Sequence, residues 1–163
     1  MMFSYEISPI PLPASDSDVF KYSHLRLLAL KTNPEAYGTT FTGESRNTPA
    51  MWRERIDNPE RLTIIARAKA QRAVSDISSG KPADCASPEG QEECEWVGTA
   101  SILTPEMLRA DSGDAARNEY VLVGMWVHPA HRRTGLGKRL IETGIAWVRA
   151  RTEGMPDGER RVI

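Results

Sequence analysis

Apolar and polar residues alternate along "FSYEISPI" and stop at the breaker "PLP", a pattern that predicts a first strand. Ser15, Asp16 and Ser17 then offer N-caps for a helix whose apolar positions Val19, Leu25, Leu27, Leu28 and Ala29 run down to "KTNP". The spacing predicts a helix from about Asp16 to Thr32, stopped by Pro34. In "TPAMWRERIDNP", Thr48 as cap, Pro49 at the first helical position and Pro59 beyond the end predict a short second helix. "RLTIIARA" is rich in β-branched residues and predicts a strand over Arg61 to Ala68, and "EWVGTASIL" resumes the alternation as its hairpin partner. "TPEMLRADSGDAARN" reads as a loop with room for a helical turn. "EYVLVGMWVHP" is the most continuous apolar run, and its lack of alternation predicts a central strand covered on both faces. Behind it, Leu140, Ile141, Ile145 and Val148 fall at helical spacing, with Gly144 as a close-packing position between them. That is an amphipathic helix lying on a sheet. The closing "RRVI" has the character of the first residues of one more strand.

Composition sharpens this outline. A chain of 163 residues is one domain's worth, and at that size roughly 70% of the unfolded surface is buried, so no disulfide or metal is needed to fold. Between residues 70 and 94 the periodicity vanishes and Ser, Gly, Pro and acidic residues collect, as in an exposed or disordered insertion. Lys and Arg number 21 against 22 Asp and Glu, so the charge of -1 exerts no overall pull on nucleic acid or membrane; any basic site is local. No apolar run approaches the ~20 residues of a membrane span, and "MMFSYEISPIPLP" lacks the basic and apolar regions of a secretory signal. A soluble, cytoplasmic protein is the expectation, with the nucleus left open. Cys85 and Cys94 have no second pair and no histidine at ligand spacing, which argues against zinc and leaves two free thiols or one local disulfide.

The local basic site is "HPAHRRTGLGKRL", between the long apolar strand and the amphipathic helix. A strand, a tight turn carrying Gly135 and Gly137, and a helix starting directly afterward aim several free backbone N–H groups at one point, an anion site by construction. The glycines let phosphate oxygens approach without a Cβ in the way, and Arg132, Arg133 and Lys138 add charge. The nucleoside-triphosphate loop does not fit, because Arg132 and Arg139 stand where it needs glycine and a hydroxyl. The dinucleotide fingerprint does not fit either, because Leu140 occupies its third glycine. What fits is R-x-x-G-x-G, read as Arg132, Gly135 and Gly137, five residues beyond Val127.

At these residues the chain resembles the GNAT-type N-acetyltransferases, whose [RQ]-x-x-G-x-[GA] signature follows their fourth strand and opens their third helix. The resemblance extends over the order of elements along the whole chain, and its specific part is Tyr120 to Arg151. It implies an α+β fold in three layers, α/β/α, with a mixed, largely antiparallel sheet and helices on both faces. It implies acetyl-CoA as cosubstrate, with no metal, and an amine of a small molecule or protein as acceptor. By motif position the pyrophosphate would lie on the backbone of Arg133, Thr134, Gly135, Leu136, Gly137 and Lys138, beside Arg132. Pantetheine would run along Met125, Trp126 and Val127, and the N–H of Met125 would donate to the oxyanion, a contact whose loss costs on the order of 2.7–4 kcal/mol in barrier. Gly124 is consistent with a bulge that exposes this amide. Glu119 is a candidate base for the amine's proton, since on a regular strand it shares the face of Met125, although a bulge shifts that parity; Glu44 is its rival. Tyr37 and Phe41 stand where the family often shapes its acceptor pocket.

The chain departs from the family pattern after the amphipathic helix. The family continues with a fifth strand, a fourth helix bearing a tyrosine that often protonates the leaving thiolate, and two closing strands. The chain as given reads as a C-terminally truncated acetyltransferase, with an uncovered sheet edge that favours self-association. The alternative is a coenzyme A-binding fragment without catalysis. Nucleic-acid binding is disfavoured, because no basic face with interleaved aromatics accompanies the elbow.

Overall fold

A computed structural model describes residues 2–71, 94–114, 116, 118–153, 161 and 162. Strand β1 (Met2–Pro9) leads into helix α1 (Asp16–Thr32), then the four-residue α2 (Phe41–Glu44) and α3 (Pro49–Asp57). Strands β2 (Arg61–Gln71) and β3 (Glu95–Leu103), helix α4 (Pro105–Ser112), strand β4 (Glu119–Val127), helix α5 (Leu136–Thr152) and the two-residue β5 (Arg161–Val162) complete the order. The boundaries follow local chemistry. Ser15 caps α1 in a reciprocal box with Asp18, and Thr48 caps α3 ahead of Pro49.

The sheet runs β1-β2-β3-β4-β5, with the first four strands antiparallel and β5 parallel to β4. This is the mixed, largely antiparallel sheet that the family resemblance implied. Helices α1 and α3 bury Tyr22, Leu25, Trp52 and Ile56 against Ile65, Trp96 and Trp126 on one face. On the other, α5 sets Leu136, Leu140 and Val148 against Ile64, Val97 and Ile102. Each such side chain contributes roughly 1.5–3 kcal/mol by leaving water. Gly144 permits the close approach of α5: a Cβ there would stand 3.0 Å from Ile102 Cδ1.

Two expectations are corrected. The segment after β3, expected as a loop with room for a helical turn, forms the eight-residue α4, capped by Thr104, started by Pro105 and ended by Gly113 at φ 69. Its brevity and polar composition hid it. Strand β4 is the fourth strand rather than the central one, and β5 pairs only with Glu119 and Tyr120. Its residues 121–123 are accordingly half-buried rather than covered on both faces. The insertion expected at 70–94 lies, except for its ends, outside the described residues, as does Cys85. Among the described residues, no helix is long and apolar enough to cross a membrane, and no metal-binding cluster of His, Cys, Asp or Glu occurs.

Candidate functional site

The site begins with an irregularity in β4. Thr99 pairs with Trp126 and Ser101 with Val123, so the single residue Ala100 faces both Gly124 and Met125. This is a β-bulge, which takes one residue out of the hydrogen-bonded ladder. Gly124 adopts φ 61, a left-handed conformation that glycine reaches without strain. The bulge also inverts strand parity. Ahead of it Tyr120 and Leu122 face α5; behind it Val127 faces α5 and Trp126 faces α1 and α3. The Met125 side chain points to α5, since a Cβ on Gly137 would lie 3.2 Å from Met125 Cε. Glu119 therefore lies on the opposite face from Met125, and at ~3.3 Å per residue it is roughly 20 Å away along the strand. The expectation that the two share a face holds only for a regular strand. The structure does not bring Glu119 to the bulge.

Directly beyond β4 the chain makes a single 3-10 turn and then the elbow. Arg133 and Gly135 take φ 62 and φ 81, and α5 starts at Leu136. Gly135 occupies the N-cap and supplies no side-chain cap. The first intrahelical bond of α5 runs from Arg139 N to Gly135 O at 3.1 Å. The amides of Leu136, Gly137 and Lys138 thus precede the helical ladder and face outward at the positive end of the helix dipole. Those of Leu136 and Gly137 border a groove of about 520 Å³ lined by Asn33, Ala36, Met125, Trp126, Val127, His131, Arg132, Arg133, Gly135, Leu136 and Gly137. The groove unites most of the residues the motif singled out. Two of them stand apart: Thr134 turns its hydroxyl onto His131 O at 2.7 Å, and the Lys138 side chain is 80% exposed, 3.7 Å from Glu142.

Arg132 is exposed, yet its guanidinium braces the elbow. Its Nε donates to Val127 O at 2.9 Å and its Nη2 to Asn33 Oδ1 at 2.7 Å. The same Asn33 oxygen accepts from Trp126 Nε1 at 3.1 Å. Asn33 is the C-cap of α1, so one carbonyl ties the end of α1 to both β4 and the elbow. Sequence reasoning missed Asn33, because "KTNP" reads as a helix stop and gives no sign of a partner some hundred residues away. His131, in the turn before the elbow, is buried, bonded through Nδ1 to the Tyr5 hydroxyl at 3.1 Å and packed edge-on against Phe3.

The other face of the bulge carries a buried ion cluster. Arg26 on α1 grips Glu44 through Nε and Nη2 at 3.1 and 2.8 Å, and Thr39 and Arg55 add bonds at 2.6 and 3.1 Å. Tyr37 stacks 4.3 Å from the Arg26 guanidinium. Burial alone would raise the Glu44 pKa, but the bonds from Arg26 and Thr39 and the charge of Arg55 outweigh it and lower it to about 2. A carboxylate so fully engaged is a poor proton acceptor. Phe41 is half-exposed on α2, away from the core.

Known proteins place this geometry. A comparison with curated proteins found no match. Among solved structures, the aminoglycoside N-acetyltransferase AAC(6')-Iy in complex with CoA superposes with a TM-score of 0.54 at 15% identity, covering 100% of this chain and 78% of that one. An aminoglycoside acetyltransferase from an uncultured soil metagenomic sample, in complex with sisomicin, gives 0.53 at 12% identity, covering 99% and 75%. These likenesses show the fold. The chain spans 56% of the length of a further neighbour, an aminoglycoside 6'-N-acetyltransferase complexed with coenzyme A, at 19% identity, 90% coverage of this chain and a TM-score of 0.48. The model of the Acetyltransferase (GNAT) family matches residues 36–156, a span that runs from the turn after α1 through α5 and includes both the bulge and the elbow. The chain belongs to the GNAT family of acetyltransferases.

Proposed function

We propose that the protein transfers an acetyl group from acetyl-CoA to a primary amine by direct attack. The observation that carries this reading is the continuity of one groove from the Gly124–Met125 bulge to the uncapped first turn of α5. The two ends match the two demands of the donor: a dianionic pyrophosphate needs converging N–H groups, and a thioester carbonyl needs one positioned donor as it becomes an oxyanion. The absence of side chains at Gly135 and Gly137 keeps the first-turn amides open to phosphate oxygens. Acetyl-CoA supplies an activated acyl group whose thiolate is a good leaving group.

In this reading the amine nitrogen forms the new C–N bond at the thioester carbon while the Met125 N–H donates to the carbonyl oxygen. Collapse breaks the C–S bond, releasing the amide and coenzyme A. The nitrogen's proton passes to water on the open side of the bulge, where Met125 is 39% exposed, rather than to Glu119 or Glu44. Two outcomes follow. Plots of log kcat/KM rise with pH up to the acceptor amine's own pKa, and Glu119→Gln loses less than about threefold, as expected where no positioned base contributes its usual ~100-fold or more. A hundredfold loss in Glu119→Gln would return that carboxylate to the mechanism. The primary test is release of coenzyme A thiol across an amine panel. Binding of coenzyme A without turnover of any amine would leave a binding module and remove the enzyme.

A further inference from the structure

The two faces of the sheet differ in chemistry. Toward α5, strands β2 and β3 present Leu62, Ile64, Ala100 and Ile102, all apolar. Toward α1 and α3, the alternate positions are Arg61, Thr63, Thr99 and Ser101, each less than 9% exposed. Arg61 Nη2 donates to Ser101 Oγ at 3.1 Å. Its Nε, together with Thr63 Oγ1 and Thr99 Oγ1, is buried without a hydrogen-bond partner among the described residues. The cluster above this face is cationic as well. Glu44 is already held by Arg26 and Arg55, and Arg61 makes no ion pair among the described residues. Burial is the main cause that lowers the Arg61 pKa, with Tyr22 and Glu44 opposing it and Arg55 and Arg26 adding to it. A buried guanidinium with an idle donor, beside idle hydroxyls, has unmet capacity for an anionic partner.

The register places that site beside the reaction centre. Ser101, which receives Arg61, pairs directly with Val123, the residue before the bulge glycine. Adjacent strands lie about 4.8 Å apart. Arg26 reaches the same spot from above, its Nη1 3.6 Å from where a Cβ on Gly124 would stand. We infer that the acceptor is an amine that also carries a carboxylate: the carboxylate binds Arg61 and the hydroxyls of Thr63 and Ser101, and the amine lies at the Gly124–Met125 bulge. This inference rests on the acetyl-transfer reading and narrows its acceptor. It also sets this chain apart from the two neighbours solved with sisomicin and with a CoA-acetylneamine bisubstrate analogue. Among the described residues of this cluster, a polycation would meet the guanidinium groups of Arg26, Arg55 and Arg61 and, in Glu44, a carboxylate that is already paired.

Calorimetry on the full chain saturated with coenzyme A tests acceptor binding with no turnover required. The probes are a panel of L-amino acids, each with its methyl ester, and the aminoglycoside sisomicin. At least one acid is expected to bind about tenfold or more tightly than its ester, the scale of one charge-assisted contact. In Arg61→Met the acid and ester converge, while Arg61→Lys recovers part of the preference. Because Arg61 is buried without a carboxylate partner, Arg61→Met is expected to keep its unfolding midpoint, so lost preference is not lost fold. Acids and esters binding alike, no binding by any acid, an acid preference that survives Arg61→Met in a folded protein, or sisomicin binding more tightly than every acid would each overturn the inference. Thiol release with the same panel separates the two readings. Turnover of esters and acids alike keeps acetyl transfer and removes the carboxylate site, whereas acid-selective binding without turnover does the reverse.

Discussion

Single residues divide into those whose backbone matters and those whose side chain matters. In the proposed reading the elbow binds through its backbone, so charge-removing changes at exposed positions are expected to do little. Lys138→Ala shifts coenzyme A affinity by less than about threefold, within the ~1 kcal/mol of an exposed charge. Gly137→Asp, which puts a carboxylate among the first-turn amides and against Met125, weakens it by about tenfold or more, and isothermal titration reads both. The reverse ranking would show that the arginine and lysine side chains hold the ligand. At Glu44 the side chain dominates. Its pKa of about 2 in the fold lies below the ordinary 4.5, so its contribution is complete above pH 4.5 and is lost as pH falls toward 2. Glu44→Gln is expected to cost about 3–5 kcal/mol at neutral pH, because it leaves Arg26 and Arg55 facing a neutral group. It also flattens the acid limb of the stability profile, as denaturant titrations at several pH values would show. An unchanged acid limb would mean that another carboxylate sets it.

At the scale of elements, the site depends on three pieces held at fixed angles: the end of α1, the bulged half of β4 and the start of α5. Asn33 Oδ1 is their joint, accepting from Trp126 Nε1 and Arg132 Nη2 together. Asn33→Ala orphans both donors and is expected to lower stability by about 1–3 kcal/mol and to weaken coenzyme A binding, measured by thermal unfolding and titration. A stability loss without any change in binding would reduce the joint to a packing role. These couplings mark what the sequence could and could not disclose. The strands, α1, α3 and the elbow were legible, because alternation, caps and glycines act locally within "FSYEISPI", "TPAMWRERIDNP" and "RTGLG". The bulge was legible as a possibility at Gly124, but its consequence, the inversion that separates Glu119 from Met125, depends on what β3 places opposite. The Arg26–Glu44 pair spans 18 residues and two loops, and nothing local distinguishes Glu44 from a solvated carboxylate. Helix α4 had its cap, proline and terminal glycine in plain view, but with too few apolar positions to show a period.

For the whole molecule, the antiparallel sheet is a divider between two unlike halves. One face meets α5 through an apolar core, and packing there is tight enough that Gly144→Leu, pressed against Ile102 and Ile64, is expected to cost 1–3 kcal/mol or more in a denaturant titration. The other face meets α1 and α3 through an apolar upper half and, below it, the arginine cluster. Strand β4 borders both, and β5 pairs with only its first two residues, leaving the bulge with an outer edge unpaired among the described residues. Elbow, bulge and polar face therefore adjoin one strand, as the proposed transfer between two bound partners would require. The most direct measurement is thiol release from acetyl-CoA with an amine acceptor, run on the unaltered protein and on Gly137→Asp, with the acetylated product identified by mass. Amine-dependent release in the unaltered protein, lost in the variant together with coenzyme A affinity, is the expected result. Release that ignores the amine, or survives Gly137→Asp undiminished, would contradict the account.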